Sequence, residues 1–323
     1  MKKSNIILSL LVFIVIILFA INPQQNMASC YEGIKVWALY VLPALFPFFI
    51  LTKLLASFDV VEKVGNKLSG VTKFLFGAPG VSAYIYLMSI LSGYPVGAKL
   101  TADLYKQGSI TQKEAVKITT FTSTSGPLFI IGTVATGMFV NAKLGIVILV
   151  SHLLGAIANG ILFRNYGKSS ATCYTTSVQA PKNILEDTMW SSIQSVLMIG
   201  GYISIFFVLI QILNNYKILF PLNLVLGGVL SLIGLPTQIS SGITDGFFEV
   251  TRGCLTISKL ALPMPVIATI LTVMISFGGL CIHMQAMTFL KKFDMKISFY
   301  LLMKTTQAIL SGLICIPIAL LML

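Results

Sequence analysis

The sequence predicts an all-α polytopic membrane protein with about seven crossings, two re-entrant hairpins and two inverted repeats that contain broken helices. Its composition is the first reason: 56% of the 323 residues are apolar, 10% are charged and the mean hydropathy is +0.92. Soluble domains carry roughly 25% charged residues, so this chain has too few charges to cover a water-exposed surface. An ordinary cytosolic enzyme, a disordered chain and a secreted disulfide scaffold are therefore excluded.

Long apolar runs are the second reason. Lys2 and Lys3 precede the first run, which has no small-residue cleavage site after it, so we expect an uncleaved anchor helix with its N-terminus inside. Crossing a bilayer as a helix takes about 20 apolar residues. The runs have the approximate borders 6–21, 34–56, 74–92, 118–140, 144–163, 189–213, 219–235, 260–290 and 298–323.

Helix breakers interrupt two of these runs. The run 74–92 ends in a Ser-Gly-Tyr-Pro-Val-Gly sequence and then turns polar, which favours a re-entrant hairpin over 74–105. Pro127 follows Ser123-Thr124-Ser125-Gly126, and proline disfavours helix at the residue before it. Broken backbone at membrane depth is tolerated where it is buried in protein or lines a wet cavity. A second hairpin is predicted over 219–258.

The net charge of +12 is the third reason, because the basic residues follow the predicted loops. With the hairpin at 74–105, fifteen of the 22 basic residues fall in segments predicted to be cytoplasmic. A full crossing there would place Lys106, Lys113 and Lys117 outside. The charge is therefore interpreted as a topology signal, with the lipid bilayer as the partner and no binding of nucleic acid. An oligomer is compatible with the sequence.

Two halves of the chain are similar in the order of their helix breakers. Pro43–Leu51 matches Gly201–Leu209 at an offset of 158, Gly93–Ala98 matches Glu249–Cys254 at 156, and Gly126–Leu128 matches Gly278–Leu280 at 152. Three crossings in each half invert the second copy, which is the layout of secondary transporters that work by alternating access. The predicted domains are an anchor helix (1–30), repeat 1 (31–165), a cytoplasmic linker (166–188) and repeat 2 (189–323).

In such transporters the paired interruptions mark the binding site. The sequence offers polar groups at the breaks, two basic side chains, and helix starts whose free amides favour anions. The candidate substrate-binding residues are Ser92, Gly93, Tyr94, Pro95, Gly97, Lys99, Ser123, Thr124, Ser125, Gly126, Thr251, Arg252, Gly253, Gly278, Gly279 and Gln285, and the candidates for proton or ion coupling are Glu249 and His283.

Structural roles stay open for several of these residues. Arg252 has a helical spacing that allows a pair with Glu249, and Lys99 can extend to the membrane interface. The Ser/Thr run before Gly126 can cap the broken helix. His152 and His283 are each compatible with an interhelical hydrogen bond. The five cysteines lack a CxxC or metal-ligand spacing, so no catalytic residue, metal or cofactor is predicted.

Four segments together resemble the sporulation integral membrane protein family (YlbJ, also called SpoVV) of the nucleoside-recognition or Gate-domain membrane proteins. They are Leu91–Ala98, Gly108–Ile110, Ser125–Val134 and Ser151–Gly155, and the resemblance extends over about residues 30–320. It implies a role in endospore formation. It also implies transport of dipicolinic acid out of the mother cell, across the outer forespore membrane, with the small anionic substrate as partner.

Two other functions remain as alternatives. The Gate-domain resemblance also implies a nucleoside or nucleobase transporter, which would recognise its substrate through neutral polar groups. A non-transporting assembly factor for sporulation is the third hypothesis, although no large soluble domain is evident. An enzyme is not expected, because no HExxH, GxSxG or P-loop sequence is present.

Overall fold

The computed structural model describes residues 3–56, 60–166 and 184–323, and every regular element in these ranges is helical. The first half contains α1 (Lys3–Ile21), α2 (Pro23–Val36), a π-helical turn (Trp37–Val41), α3 (Leu42–Ala56), α4 (Val60–Phe76), α5 (Val81–Ser92), α6 (Val96–Lys106), α7 (Gln112–Thr122), a π-helical segment (Leu128–Thr136) and α8 (Ala142–Leu162).

The second half contains α9 (Ile184–Asn215), α10 (Phe220–Leu232), α11 (Ile239–Phe248), α12 (Val250–Ser258), α13 (Met264–Phe277), α14 (Gly279–Leu290), a short 3-10 turn (Lys291–Phe293) and α15 (Ile297–Met322). Most of the predicted linker 166–188 lies outside the described residues, and α9 begins at Ile184. The domain boundaries themselves stay a prediction.

The described residues include four helical spans long and apolar enough to cross a membrane, or up to six if two bent helix pairs each count as one span. The four are α8, α9, α15 and the stretch Met264–Phe293, which contains α13, α14 and the 3-10 turn. The all-α polytopic prediction is confirmed. The count of seven crossings and the inversion of the two halves stay predictions.

Bends at Pro and Gly make some borders differ from the predicted ones. The anchor helix ends at Ile21, and α2 leaves it at 104° because Pro23 cannot continue the hydrogen-bonding pattern. The run 74–92 is not one helix: α4 ends at Phe76 and α5 starts at Val81, with an 88° bend across Gly77-Ala78-Pro79-Gly80. The first arm of the predicted hairpin is therefore shorter than expected.

The turn between α6 and α7 has the predicted local geometry. Gly108 has a φ of +72° and follows the last turn of α6, where the Ser109 amide donates to the Leu104 carbonyl at 3.0 Å. Thr111 and Glu114 form a reciprocal capping box at the start of α7. These two caps fix where α6 stops and α7 begins, and so hold the hairpin next to the broken segment that follows.

The core is built around α15, which packs along α8 and α13. Gly155 of α8 allows the closest approach, because a Cβ added there would overlap Ser311 of α15. Asn159, one turn further along α8, donates to the carbonyls of Thr120 in α7 and Met303 in α15 at 2.8 and 3.1 Å. These contacts hold α7, α8 and α15 in one fixed arrangement beside the cavity described below.

Replacing Gly155 by Leu is expected to destabilise the protein by several kcal/mol, since overpacked cores commonly lose about 1–3 kcal/mol and here the backbones themselves would have to separate. Gly201→Leu is the matched control, because Gly201 lies exposed on α9 with nothing within 4 Å of an added Cβ. Thermal unfolding of both variants in detergent measures the difference. Equal melting temperatures would contradict the close α8–α15 contact.

A candidate substrate-binding cavity at four helix breaks

Besides the bends after α1 and α4, four helix breaks in the described residues form two pairs. Residues 93–95 separate α5 from α6, and Ser123–Pro127 separate α7 from the π-helical segment. In the second half, Glu249 separates α11 from α12, and Gly278 separates α13 from α14. The breaks therefore lie at the positions that the sequence predicts.

Glycine allows the two breaks of each pair to touch. Gly93 has a φ of +72° and a ψ of −167°, and a Cβ there would come within 2.6 Å of the Gly126 amide nitrogen. Gly279 has a φ of +69°, and its Cβ would come within 2.7 Å of the Gly246 carbonyl oxygen at the end of α11. In both halves, backbone thus meets backbone with no room for a side chain.

All four interrupted segments contribute to one cavity, which we call the central cavity. Its polar lining consists of Ser92, Gly93, Tyr94, Ser125, Gly126, Glu249, Thr251 and Gln285, and its apolar lining of Val41, Leu45, Phe129, Ile199, Ile203, Val250, Cys281 and Ile282. Three residue pairs of the predicted repeat lie in this lining: Leu45 with Ile203, Gly93 with Glu249, and Tyr94 with Val250. The matched positions of the two halves therefore meet in space.

The second part of each interrupted segment begins at the central cavity. Tyr94 precedes α6, Gly126 and Phe129 lie at the start of the π-helical segment, Val250 begins α12, and Cys281 lies in the first turn of α14. The first amides of a helix have no partner within the helix and carry a partial positive charge. Among the described residues, four such helix starts surround the cavity, which favours negative charge there.

Glu249 occupies one of these helix starts. Its carboxylate accepts hydrogen bonds from the amides of Thr251 and Arg252 at 3.1 and 2.7 Å and from the Thr251 hydroxyl at 2.9 Å. The side chain is 1% exposed. Glu249 therefore caps the N-terminus of α12, and its charge is compensated by that helix.

Tyr94 contacts a buried lysine that the sequence reasoning did not select. Lys304 of α15 is 0% exposed, and its ammonium donates to the Tyr94 hydroxyl at 2.7 Å, the Gln307 side-chain oxygen at 3.0 Å and the Ser123 carbonyl at 3.1 Å. The Nζ atom also lies 4.6 Å from the centre of the Tyr94 ring. Lys304 thus connects α15 to both breaks of the first half.

His152 of α8 connects the first half to the second. Its Nε2 accepts from the Ser125 amide at 2.8 Å, and its Nδ1 lies 2.7 Å from the Ser276 hydroxyl near the end of α13. An amide N–H can only donate, so Nε2 carries no proton and the single ring proton is on Nδ1. The neutral imidazole therefore bridges two broken helices, which agrees with the interhelical role considered for it.

The central cavity brings together eight of the eighteen candidate residues. Those in its lining are Ser92, Gly93, Tyr94, Ser125, Gly126, Thr251, Gln285 and the coupling candidate Glu249. The lining does not include Pro95, Gly97, Lys99, Ser123, Thr124, Arg252, Gly253, Gly278, Gly279 or His283. Several of the second group support the breaks, since Gly97 lies against the Thr122 carbonyl and Gly253 against Gly246.

The two basic residues selected from the sequence lie away from the lining. The Arg252 guanidinium donates to the Ser29 hydroxyl and the Phe207 carbonyl at 3.1 and 3.0 Å, and its Nε lies 3.5 Å from an Asp245 oxygen. Arg252 thus joins the α11–α12 hairpin to α2 and α9, and its ion-pair partner is Asp245 where the helical spacing suggested Glu249. Lys99 lies half-buried on α6.

His283 of α14 is buried, with Nδ1 3.2 Å from the Tyr300 hydroxyl. Its Nε2 has no hydrogen-bond partner among the described residues. The coupling role of His283 stays a prediction.

Comparison with known proteins identifies the family of this chain. The sequence model of the Gate family, described as nucleoside recognition, matches residues 38–143. The sporulation integral membrane protein YlbJ of Bacillus subtilis (strain 168) is 33% identical over 310 residues, which cover 89% of this chain and 76% of that protein. The chain belongs to the YlbJ family of sporulation membrane proteins.

Membership in the YlbJ family confirms the predicted resemblance and agrees with an integral membrane protein. The Gate match includes both breaks of the first half and ends before α8 is complete, so the breaks of the second half lie beyond it. No solved structure matches the chain.

Proposed function

We propose that this YlbJ-family protein is a membrane transporter for a small organic anion, and that the central cavity is its binding site. The observation that carries the proposal is the meeting of four helix starts at one cavity within the described residues. A helix start stabilises an anion by about 0.3–1 kcal/mol at an exposed site and by up to about 2 kcal/mol when partly buried. Glu249 already caps the start of α12, and the other three starts, acting on one anion, supply useful affinity without a Lys or Arg in the described lining.

We propose dipicolinate as the substrate and export from the mother cell, across the outer forespore membrane, as the direction. Dipicolinate is a small planar dianion with two carboxylates, and carboxylates bind well to free amides at helix starts. The YlbJ relative is a sporulation membrane protein by name. The broken segments support alternating access, in which one half moves against the other around the cavity, and transport is proposed in preference to catalysis.

Uptake of labelled dipicolinate into proteoliposomes tests the proposal. We expect saturable uptake that exceeds the rate of protein-free liposomes by at least tenfold. Thr251→Leu is expected to reduce it at least tenfold, because the larger apolar side chain removes a hydroxyl of the lining and the contact with Glu249. Lys143→Leu, an exposed residue at the start of α8, is the control and is expected to transport at the normal rate. Uptake equal to that of protein-free liposomes would contradict the proposal.

A nucleoside carrier is the second candidate function. It is favoured by two observations: the Gate match carries the description nucleoside recognition, and the described lining contains Glu249 and Gln285 but no Lys or Arg. Competition separates the candidates. If unlabelled uridine blocks uptake and unlabelled dipicolinate does not, the nucleoside carrier replaces the anion transporter. If neither compound is taken up, the assembly-factor hypothesis gains support.

A further inference from the structure

Lys304 is a buried lysine with no carboxylate of the described residues beside it. Its three hydrogen-bond acceptors, the Tyr94 hydroxyl, the Gln307 amide oxygen and the Ser123 carbonyl, are all neutral. Three acceptors match the three donors of an ammonium group. No carboxylate of the described residues lies within ion-pair distance of Lys304. The salt bridge found among the described residues joins Arg252 and Asp245.

This arrangement is energetically costly without a further partner. A lysine at the centre of an apolar helix costs about 2.5–3.5 kcal/mol on insertion scales. Lys304 is the single Lys, Arg, His, Asp or Glu of α15, a candidate membrane span. Its carbonyl partner Ser123 lies just past the end of α7, where the helix dipole is negative and offsets part of this cost. The rest of the cost is not offset by a carboxylate of the described residues. A charged Lys304 would therefore give a positive potential at its contact residue Tyr94, which lines the central cavity.

Tyr94 contacts Lys304 and is also a residue of the cavity lining. Its hydroxyl oxygen accepts from Lys304, and the hydroxyl proton faces the carbonyls of Ile275 and Ser276 at 3.4 Å each. Both distances are at the long end for an O–H donor, whose usual range is about 2.5–3.0 Å. The proton is therefore weakly held and can turn to a better acceptor, and Tyr94 is in the cavity lining.

The other titratable groups near this point do not replace the missing anion. His152 bears a single ring proton, because Nε2 accepts from Ser125. The Nδ1 of His283 contacts the Tyr300 hydroxyl. Glu249 lines the cavity, but its carboxylate is taken up by the start of α12.

We propose that Lys304 is the residue that selects for negative charge in the central cavity, and that it acts through Tyr94, whose hydroxyl donates to a carboxylate of the bound substrate. Lys304 is a positioning and charge-providing residue in this scheme, and Tyr94 is the contact residue. The ligand class is an organic carboxylate. The inference rests on the proposed transport function. It adds that Lys304 sets the preference for anionic over neutral substrates.

The test compares three probes of similar shape on the full-length protein in proteoliposomes: dipicolinate, its monoanionic relative picolinate, and the neutral pyridine-2,6-dicarboxamide. Each is used as a competitor of labelled dipicolinate uptake. For the wild type we expect dipicolinate to compete at least tenfold better than the dicarboxamide. In Lys304→Met this ratio is expected to fall to about one, with weaker competition by picolinate as well.

Tyr94→Phe keeps the ring and the charge of Lys304 but removes the hydroxyl. It is expected to reduce the dipicolinate preference at least fivefold, so the proposal remains testable if Lys304→Met does not fold. Lys143→Met is the matched control: it removes an exposed lysine outside the cavity and is expected to keep the wild-type ratio. Thermal unfolding of each variant in detergent checks folding.

The outcomes separate this inference from the proposed function. If the wild type transports dipicolinate and both Lys304→Met and Tyr94→Phe keep the wild-type ratio, the charge-selecting role of Lys304 is wrong and the transport function stands. If the wild type takes up no dipicolinate, the proposed function fails first, and the charge-selecting role falls with it.

Discussion

Gly93→Ala is expected to abolish transport and to lower stability far more than Gly108→Ala, although both glycines have a φ of +72°. A non-glycine residue at a left-handed φ costs roughly 1–2 kcal/mol. Gly93 adds a ψ of −167°, in a region that is essentially restricted to glycine, and a Cβ contact of 2.6 Å with the Gly126 amide nitrogen. Gly108 is exposed, with nothing within 4 Å of an added Cβ.

Thermal unfolding in detergent and dipicolinate uptake measure the two effects. For Gly108→Ala we expect a loss of about 1 kcal/mol and normal uptake. For Gly93→Ala we expect a loss of at least about 3 kcal/mol, since the contact strain adds to the dihedral cost, and uptake at the protein-free level. Similar values for the two variants would mean that the breaks of the first half do not depend on their close approach.

His152→Leu is the second change with a large expected effect. It leaves the Ser125 amide and the Ser276 hydroxyl without their partner in the protein interior. Each buried polar group left unsatisfied costs about 1–3 kcal/mol, so the variant is expected to lose about 2–6 kcal/mol and to transport poorly. His283→Leu removes a single described hydrogen bond, with Tyr300, and is expected to cost about half as much.

A double-mutant cycle identifies the bridge itself. Ser276→Ala leaves the Nδ1 proton of His152 without an acceptor and is expected to cost about 1–3 kcal/mol. In His152→Leu/Ser276→Ala both partners are gone, so the double variant is expected to be no less stable than His152→Leu alone. Additive losses would show that the two residues do not interact, and would contradict a link between the broken helices.

The breaks were predictable from the sequence because they depend on local chemistry. Proline removes a donor and glycine permits a left-handed φ, so Pro127, Gly93 and Gly278 mark the interruptions without knowledge of their neighbours. The capping box at Thr111 was predictable for the same reason. Eight of the eighteen candidate residues lie in the cavity lining because they lie at or beside these breaks.

The cross-helix contacts were not predictable, because they join residues far apart in the chain. Arg252 was expected to pair with Glu249 or with substrate, but Glu249 turns to the amides of α12 and Arg252 meets Asp245 across the hairpin. Lys304 lies 210 residues from Tyr94. One signal would have found it: a single lysine in an apolar 26-residue helix, outside the basic residues that follow the topology.

The capping of α12 by Glu249 has a further meaning for recognition. Two backbone amides and one hydroxyl hold this carboxylate at a wall of the central cavity. Glu249 thus shows, within the protein itself, how a carboxylate is hydrogen-bonded at such a helix start. A substrate carboxylate bound at the start of α14 or of the π-helical segment would accept hydrogen bonds from backbone amides, as the Glu249 carboxylate does at the start of α12.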